Sequence, residues 1–156
     1  MAKTRNDADV LGHVNLNVYG ANRGVYGEVV TVLDLELETR GLRLIPTYSR
    51  VVIAHSIHEL VVTDQIGKKP GETVDRVAFL AFFEVLRSGC IIIGETLKAG
   101  ENAIGTILGF DDTHQPNHMN IVIGVLQRRT GKQLRFELGT PISLEASSAG
   151  PSSASA

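Results

Sequence analysis

Residues 27–38 read GEVVTVLDLELE, and this stretch limits the fold more than any other. Val29, Thr31, Leu33, Leu35 and Leu37 share one parity, while Asp34, Glu36 and Glu38 take the other. A two-residue period sends alternate side chains to opposite faces, which describes a half-buried strand and not a helix. The same grammar recurs along the chain. Val14, Leu16 and Val18 alternate with Asn15 and Asn17. Short apolar runs follow at residues 51–54, 60–62, 90–93, 104–108 and 120–126, and Leu134, Phe136 and Leu138 alternate with Arg135 and Glu137. Turn-forming glycines and prolines separate these runs. About eight short strands at roughly 8–12-residue spacing predict a mainly β, single-domain chain. The expected architecture is a small antiparallel β-barrel or β-clip-like fold with at most one or two short helices.

One segment is ambiguous. Residues 73–86 read TVDRVAFLAFFEVL, where Val77, Leu80, Ala81 and Glu84 fit a helical face. The continuous apolar run with Phe79, Phe82, Phe83 and Val85 fits a strand buried on both faces, and strand is the preferred reading. The expected organisation is a flexible terminus at residues 1–9, a β-rich domain at 10–144 and a disordered tail of small residues at 145–156.

Composition excludes several classes. The 156-residue chain carries a formal charge of −2, no Trp and few aromatics, so it offers no basic groove with stacking platforms for nucleic acid. Cys90 is the single cysteine, which rules out an intrachain disulfide and a thiolate zinc site. No phosphate-loop, GxGxxG or GxSxG pattern occurs, so no nucleotide cofactor and no serine-hydrolase elbow are expected. The N-terminus lacks an apolar signal region and no apolar run is long enough to span a bilayer, so the expectation is a cytoplasmic protein with no membrane partner. A small barrel with edge strands favours a homo-oligomer.

The densest polar stretch is residues 110–118, FDDTHQPNH, set between apolar runs. His114 and His118, with Asp111 or Asp112, have the residue types and spacing to ligate zinc, iron or manganese, and His55 and His58 could complete the set. The same groups could act directly as acid and base without a metal, or serve as hydrogen-bonding partners of a tight turn. Glu84 interrupts the apolar run of residues 77–86. Burial would raise its pKa and suit proton transfer, whereas pairing with Arg76, Arg87 or Arg50 would make it structural. Arg50, preceded by Tyr48 and Ser49, could clamp an anionic group of a ligand, and Asn117 and Asn120 could orient it.

Leu97-Lys98-Ala99-Gly100-Glu101 followed by Ile104-Gly105 resembles the turn grammar of β-clip domains of the antifreeze-like, sugar-acid-dehydratase type. The resemblance covers residues 88–122 and implies a β-clip fold, with histidines near His114 and His118. HQPNHMN stands where that family carries an HxHN-like run. Together these readings predict an enzyme of lyase, isomerase or cyclase type acting on a small oxygenated molecule. Its catalytic groups would be His114, His118 and Glu84. The alternative is a non-catalytic oligomeric barrel that binds a ligand or partner.

Overall fold

The computed structural model describes residues 18–147, which form eleven strands. These are β1 (Val25–Leu37), β2 (Leu42–Arg43), β3 (Ser49–Val52), β4 (Ile57–Thr63), β5 (Thr73–Val74), β6 (Val77–Arg87), β7 (Gly89–Ile92), β8 (Thr96–Ala99), β9 (Asn102–Asp111), β10 (Asn120–Gly124) and β11 (Pro141–Glu145). Seven of them close a barrel in the order β1-β11-β8-β9-β10-β4-β6, and β2-β5 and β3-β7 form two small ribbons beside it. The expected terminus at 1–9 and the expected strand over residues 10–19 as far as Asn17 lie outside the described residues, and Val18 and Tyr19 are not strand. Of the expected tail at 145–156, Glu145 ends β11 and residues from 148 onward lie outside the described residues. Among the described residues, no helix is long and apolar enough to cross a membrane.

Closure is mostly antiparallel, as alternation and tight turns predict, with one exception. β10 runs parallel to β4, from the Asn120↔Glu59 pair to the Gly124↔Thr63 pair. Within residues 73–86, Thr73–Val74 and Val77 onward are strand and not helix, and β6 is buried on both faces over Val77–Ala81, where a second layer covers it. Leu80, Ala81, Phe83 and Val85 pack into the barrel core with Leu60, Phe110, Ile121 and Ile123. Phe79 and Val77 join an outer cluster with Val61, Val122 and Val74, roofed by Leu42 and Leu44 of the first connection. A bulge at Leu60/Val61 shifts the β4–β6 register, so Phe79 and Phe82, although of opposite parity, pair with Val61 and Glu59.

Two glycines are needed for closure. Gly100, at φ 59°, turns β8 into β9 within the stretch that carries the β-clip resemblance. Gly105 lies so close to the Gly124 carbonyl that a Cβ would collide with it, which lets β9 and β10 pack without a side chain between them.

Three expectations about strands need correcting. Residues 51–54 do not form a buried strand: β3 pairs only with β7 among the described strands, and Val51 is 76 % exposed. Residues 134–138 do not form a strand despite their alternation. The backbone turns there, with Arg135 at φ 61°, and the Gly131 amide bonds to Phe79 O. Leu126 was expected to continue β10, but it lies past its end and is 91 % exposed.

Candidate functional site

A row of residues crosses four adjacent strands in register: Phe82 on β6, Glu59 on β4, Asn120 on β10 and Asp111 on β9. Leu60, Ile121 and Phe110, the next residues on β4, β10 and β9, belong to the barrel core, so the row faces outward. The covering connection buries it all the same. Ile45 N–H bonds to Phe110 O, and Leu44 lies over Gly109. Glu59, Asn120 and Asp111 are each more than nine-tenths buried.

Asp111 is held from both sides. Thr113 Oγ1 donates to its Oδ1 at 2.7 Å, and Asn120 Nδ2 donates to its Oδ2 at 2.8 Å. These bonds anchor the 112–118 loop, which turns through Gln115 N→Asp112 O and Asn117 N→His114 O bonds. The loop end sets His118 between two rings. Phe82 meets it edge-on at 5.0 Å and 88°, and His114 stacks on it at 5.0 Å and 27°. Asn117 Nδ2 donates to His118 Nδ1 at 2.9 Å. The opposite nitrogen, His118 Nε2, is buried without a partner, and so is Asn120 Oδ1. Burial, reinforced by His114, pushes the His118 pKa below that of a free imidazole, against opposing contributions from the nearby Asn120 amide and Asp111.

His55 reaches the same place from another element. It occupies a turn closed by a Ser56 N→Ile53 O bond, and its φ is 75°, a value usually left to glycine at this position. Its Nδ1 lies 3.2 Å from Glu84 Oε2. With the Nδ1 proton directed at the carboxylate, neutral His55 leaves Nε2 free as an acceptor. Glu84 is only half-buried and its partner is this histidine, not Arg76, Arg87 or Arg50. His55, Ile57, Phe82, Asn117 and His118 line one open cleft of about 350 Å³.

The remaining candidates divide. His58 is fully engaged: Met119 N–H donates to its Nδ1 at 3.2 Å and Ser56 Oγ lies 3.0 Å from its Nε2. Burial lowers its pKa, helped by the His118 and Arg50 charges. His114 Nε2 lies 3.4 Å from Arg40 Nη2. Tyr48 and Arg50 do not line the cleft: the Tyr48 carbonyl accepts from Ile93 N, and Arg50 pairs with Ile91 across the β3–β7 ribbon. The five-residue metal set of His114, His118, Asp111, His55 and His58 does not assemble. Among the described residues, no three His, Cys, Asp or Glu side chains converge to hold an ion. Geometry gives the reason: His114 and His118 stack face to face, both Asp111 oxygens are already bonded, and His58 has no free nitrogen.

Glu59 is the residue that sequence reading missed. Burial pushes its carboxyl up to about 7; the Asp111 charge adds to the shift and the Arg40 charge opposes it. In sequence, Glu59 looks like a polar strand-end residue before Leu60-Val61-Val62. Only its parallel pairing with Asn120 places it one strand away from the buried Asp111.

No curated protein and no solved structure matches the chain. A family model described as a family of unknown function matches residues 19–145, which takes in all eleven strands, and the chain therefore belongs to that family, DUF6917.

Proposed function

We propose that this barrel binds a small oxygenated molecule in the His55–His118 cleft and moves a proton on it, as an isomerase or lyase does. The observation that carries this reading is that one cleft holds two imidazoles, each backed by a different polar partner. His118, kept neutral by burial, accepts the proton. His55, in the form that carries a second proton at Nε2 while its Nδ1–H stays on the Glu84 carboxylate, delivers that Nε2 proton to the departing or rearranging oxygen. Phe82 and Ile57 supply the apolar wall, and Asn117 a polar contact at the rim. The reading needs no metal, in keeping with ligand candidates that do not converge.

The second reading is binding without turnover. It is favoured by Asp111, whose two bonded oxygens serve to hold the 112–118 loop in place. Proton exchange distinguishes the two. The protein is incubated in D2O with a panel of small hydroxy acids, oxo acids and sugars, and deuterium incorporation at carbon is followed by NMR and mass spectrometry. Incorporation by wild type that is lost in His118→Gln supports proton transfer. A compound that binds in the cleft, judged by shifts of the His55 and His118 signals, yet exchanges no proton supports binding alone.

A further inference from the structure

The two unpartnered atoms behind the cleft are complementary. Asn117 Nδ2 donates to His118 Nδ1, so neutral His118 carries its proton on Nε2. That N–H is buried and unbonded, and so is Asn120 Oδ1, an acceptor. Leaving either group unsatisfied inside the protein costs free energy that a bond between the two would recover. The orientation of the Asn120 amide is not arbitrary. Its Nδ2 is committed to the Asp111 carboxylate at 2.8 Å, so the side it offers elsewhere is oxygen. Asp111 is fixed in turn by Thr113 Oγ1. The ring itself is held between Phe82 and His114.

We propose that Asp111 and Asn120 are positioning residues for His118: the amide fixed by Asp111 accepts the Nε2 proton and leaves Nδ1 as the base that faces the ligand. This inference rests on the proton-transfer reading of the cleft and sharpens it in two ways. It assigns the working nitrogen. It also names the ligand chemistry, because a ligand that takes the place of Asn117 Nδ2 keeps Nδ1 satisfied on binding with a hydrogen-bond donor of its own, beside the carbon whose proton Nδ1 then removes. In a small oxygenated molecule that donor is a hydroxyl.

The arrangement parallels a carboxylate that orients a histidine in acyl-transfer sites, with an amide interposed between the two. The amide passes on orientation and polarisation but carries no proton itself. Asp111 therefore stays a carboxylate throughout, and the proton taken up at Nδ1 leaves again from Nδ1.

The test reads tautomers directly and needs no turnover. Long-range 1H–15N NMR on uniformly labelled protein reports which ring nitrogen of His118 is protonated. Wild type is expected in the Nε2–H form. In Asn117→Ala, an exposed-site change, the proposal predicts the same tautomer, because Asn120 still holds the Nε2 proton. Conversion of that variant to the Nδ1–H form would overturn it, since Asn117 alone would then have set the ring. Asp111→Asn should lower the His118 titration midpoint through loss of the carboxylate's field. An unmoved midpoint in folded Asp111→Asn contradicts the proposal. The wild-type and Asn117→Ala tautomers decide the question even where Asp111→Asn does not fold. A correct tautomer with no proton exchange in D2O leaves this geometry standing and removes only the catalytic reading.

Discussion

Asn120 donates its side-chain amide to Asp111 across the β9–β10 ladder at 2.8 Å, and both residues are almost wholly buried on the outer face of the barrel. This bond ties the polar loop to the strands. Asn120→Ala strips one buried carboxylate oxygen of its donor and leaves a small void. It is expected to cost about 1–3 kcal/mol of stability. The urea midpoint of the purified variant measures the loss, and a midpoint equal to that of wild type would show that the bond is not needed to hold the loop.

Glu59 gives the protein a stability that depends on pH in an unusual direction for an acid. Its folded pKa of about 7 lies above the ordinary carboxyl value. The folded state therefore binds the proton more tightly than the unfolded state does. Stability from this group is complete below the unfolded value and is lost as pH rises toward 7. Glu59→Gln should raise the melting temperature at pH 8, by up to about 3 kcal/mol in free-energy terms, and change it little at pH 4. Thermal melts at the two pH values check the sign. An equal effect at both would remove the titration as its cause.

His55 takes a left-handed backbone conformation where a turn usually places glycine. Such a residue costs roughly 1–2 kcal/mol. His55→Gly relieves that strain while deleting the contact with Glu84, so its stability should lie within about 1 kcal/mol of wild type. The same variant should lose ligand-dependent proton exchange. A large loss of stability would mean that the turn is held by the imidazole and not despite it.

How much of this was legible in the residues varied with the kind of contact involved. The alternation in β1 declared a strand but not its buried face: register shifts at Val29/Thr31 and Val32/Leu35 put Val29 and Val32 toward the barrel core, send Leu33 and Leu37 to the outer cluster and leave Leu35 exposed. His118 and Asn120 share strand parity, so their approach followed from sequence once β10 was assigned. Glu59 was invisible because its burial comes with a parallel neighbour about 60 residues away, a pairing that the local sequence does not encode. The His55–Glu84 contact was hidden for a related reason: the turn that aims His55 depends on a φ value that histidine seldom adopts. Residues 134–138 misled because alternation alone cannot reveal that the amides of Leu134, Arg135 and Phe136 bond back to Thr130, Lys132 and Gly131 instead of to a ladder.

Gly27 allows β1 to approach β6 beside the cleft. A Cβ there would meet the Glu84 carbonyl and the Phe83 ring. Gly27→Ala must push the two strands apart, with an expected cost of about 1–3 kcal/mol and a displaced Glu84. Chemical-shift mapping should show the disturbance centred on Glu84 and reaching His55. Wild-type stability and shifts would show that the strands have room to spare.

Deuterium exchange in wild type and His118→Gln, with the same hydroxyl-bearing compound bound in the cleft, tests the central claim most directly. Wild type should exchange a carbon-bound proton at a rate that His118→Gln reduces by about 10²–10⁴-fold, the range for loss of a general base. Equal rates in the two proteins would contradict the account, because the cleft would then bind the molecule without His118 moving its proton.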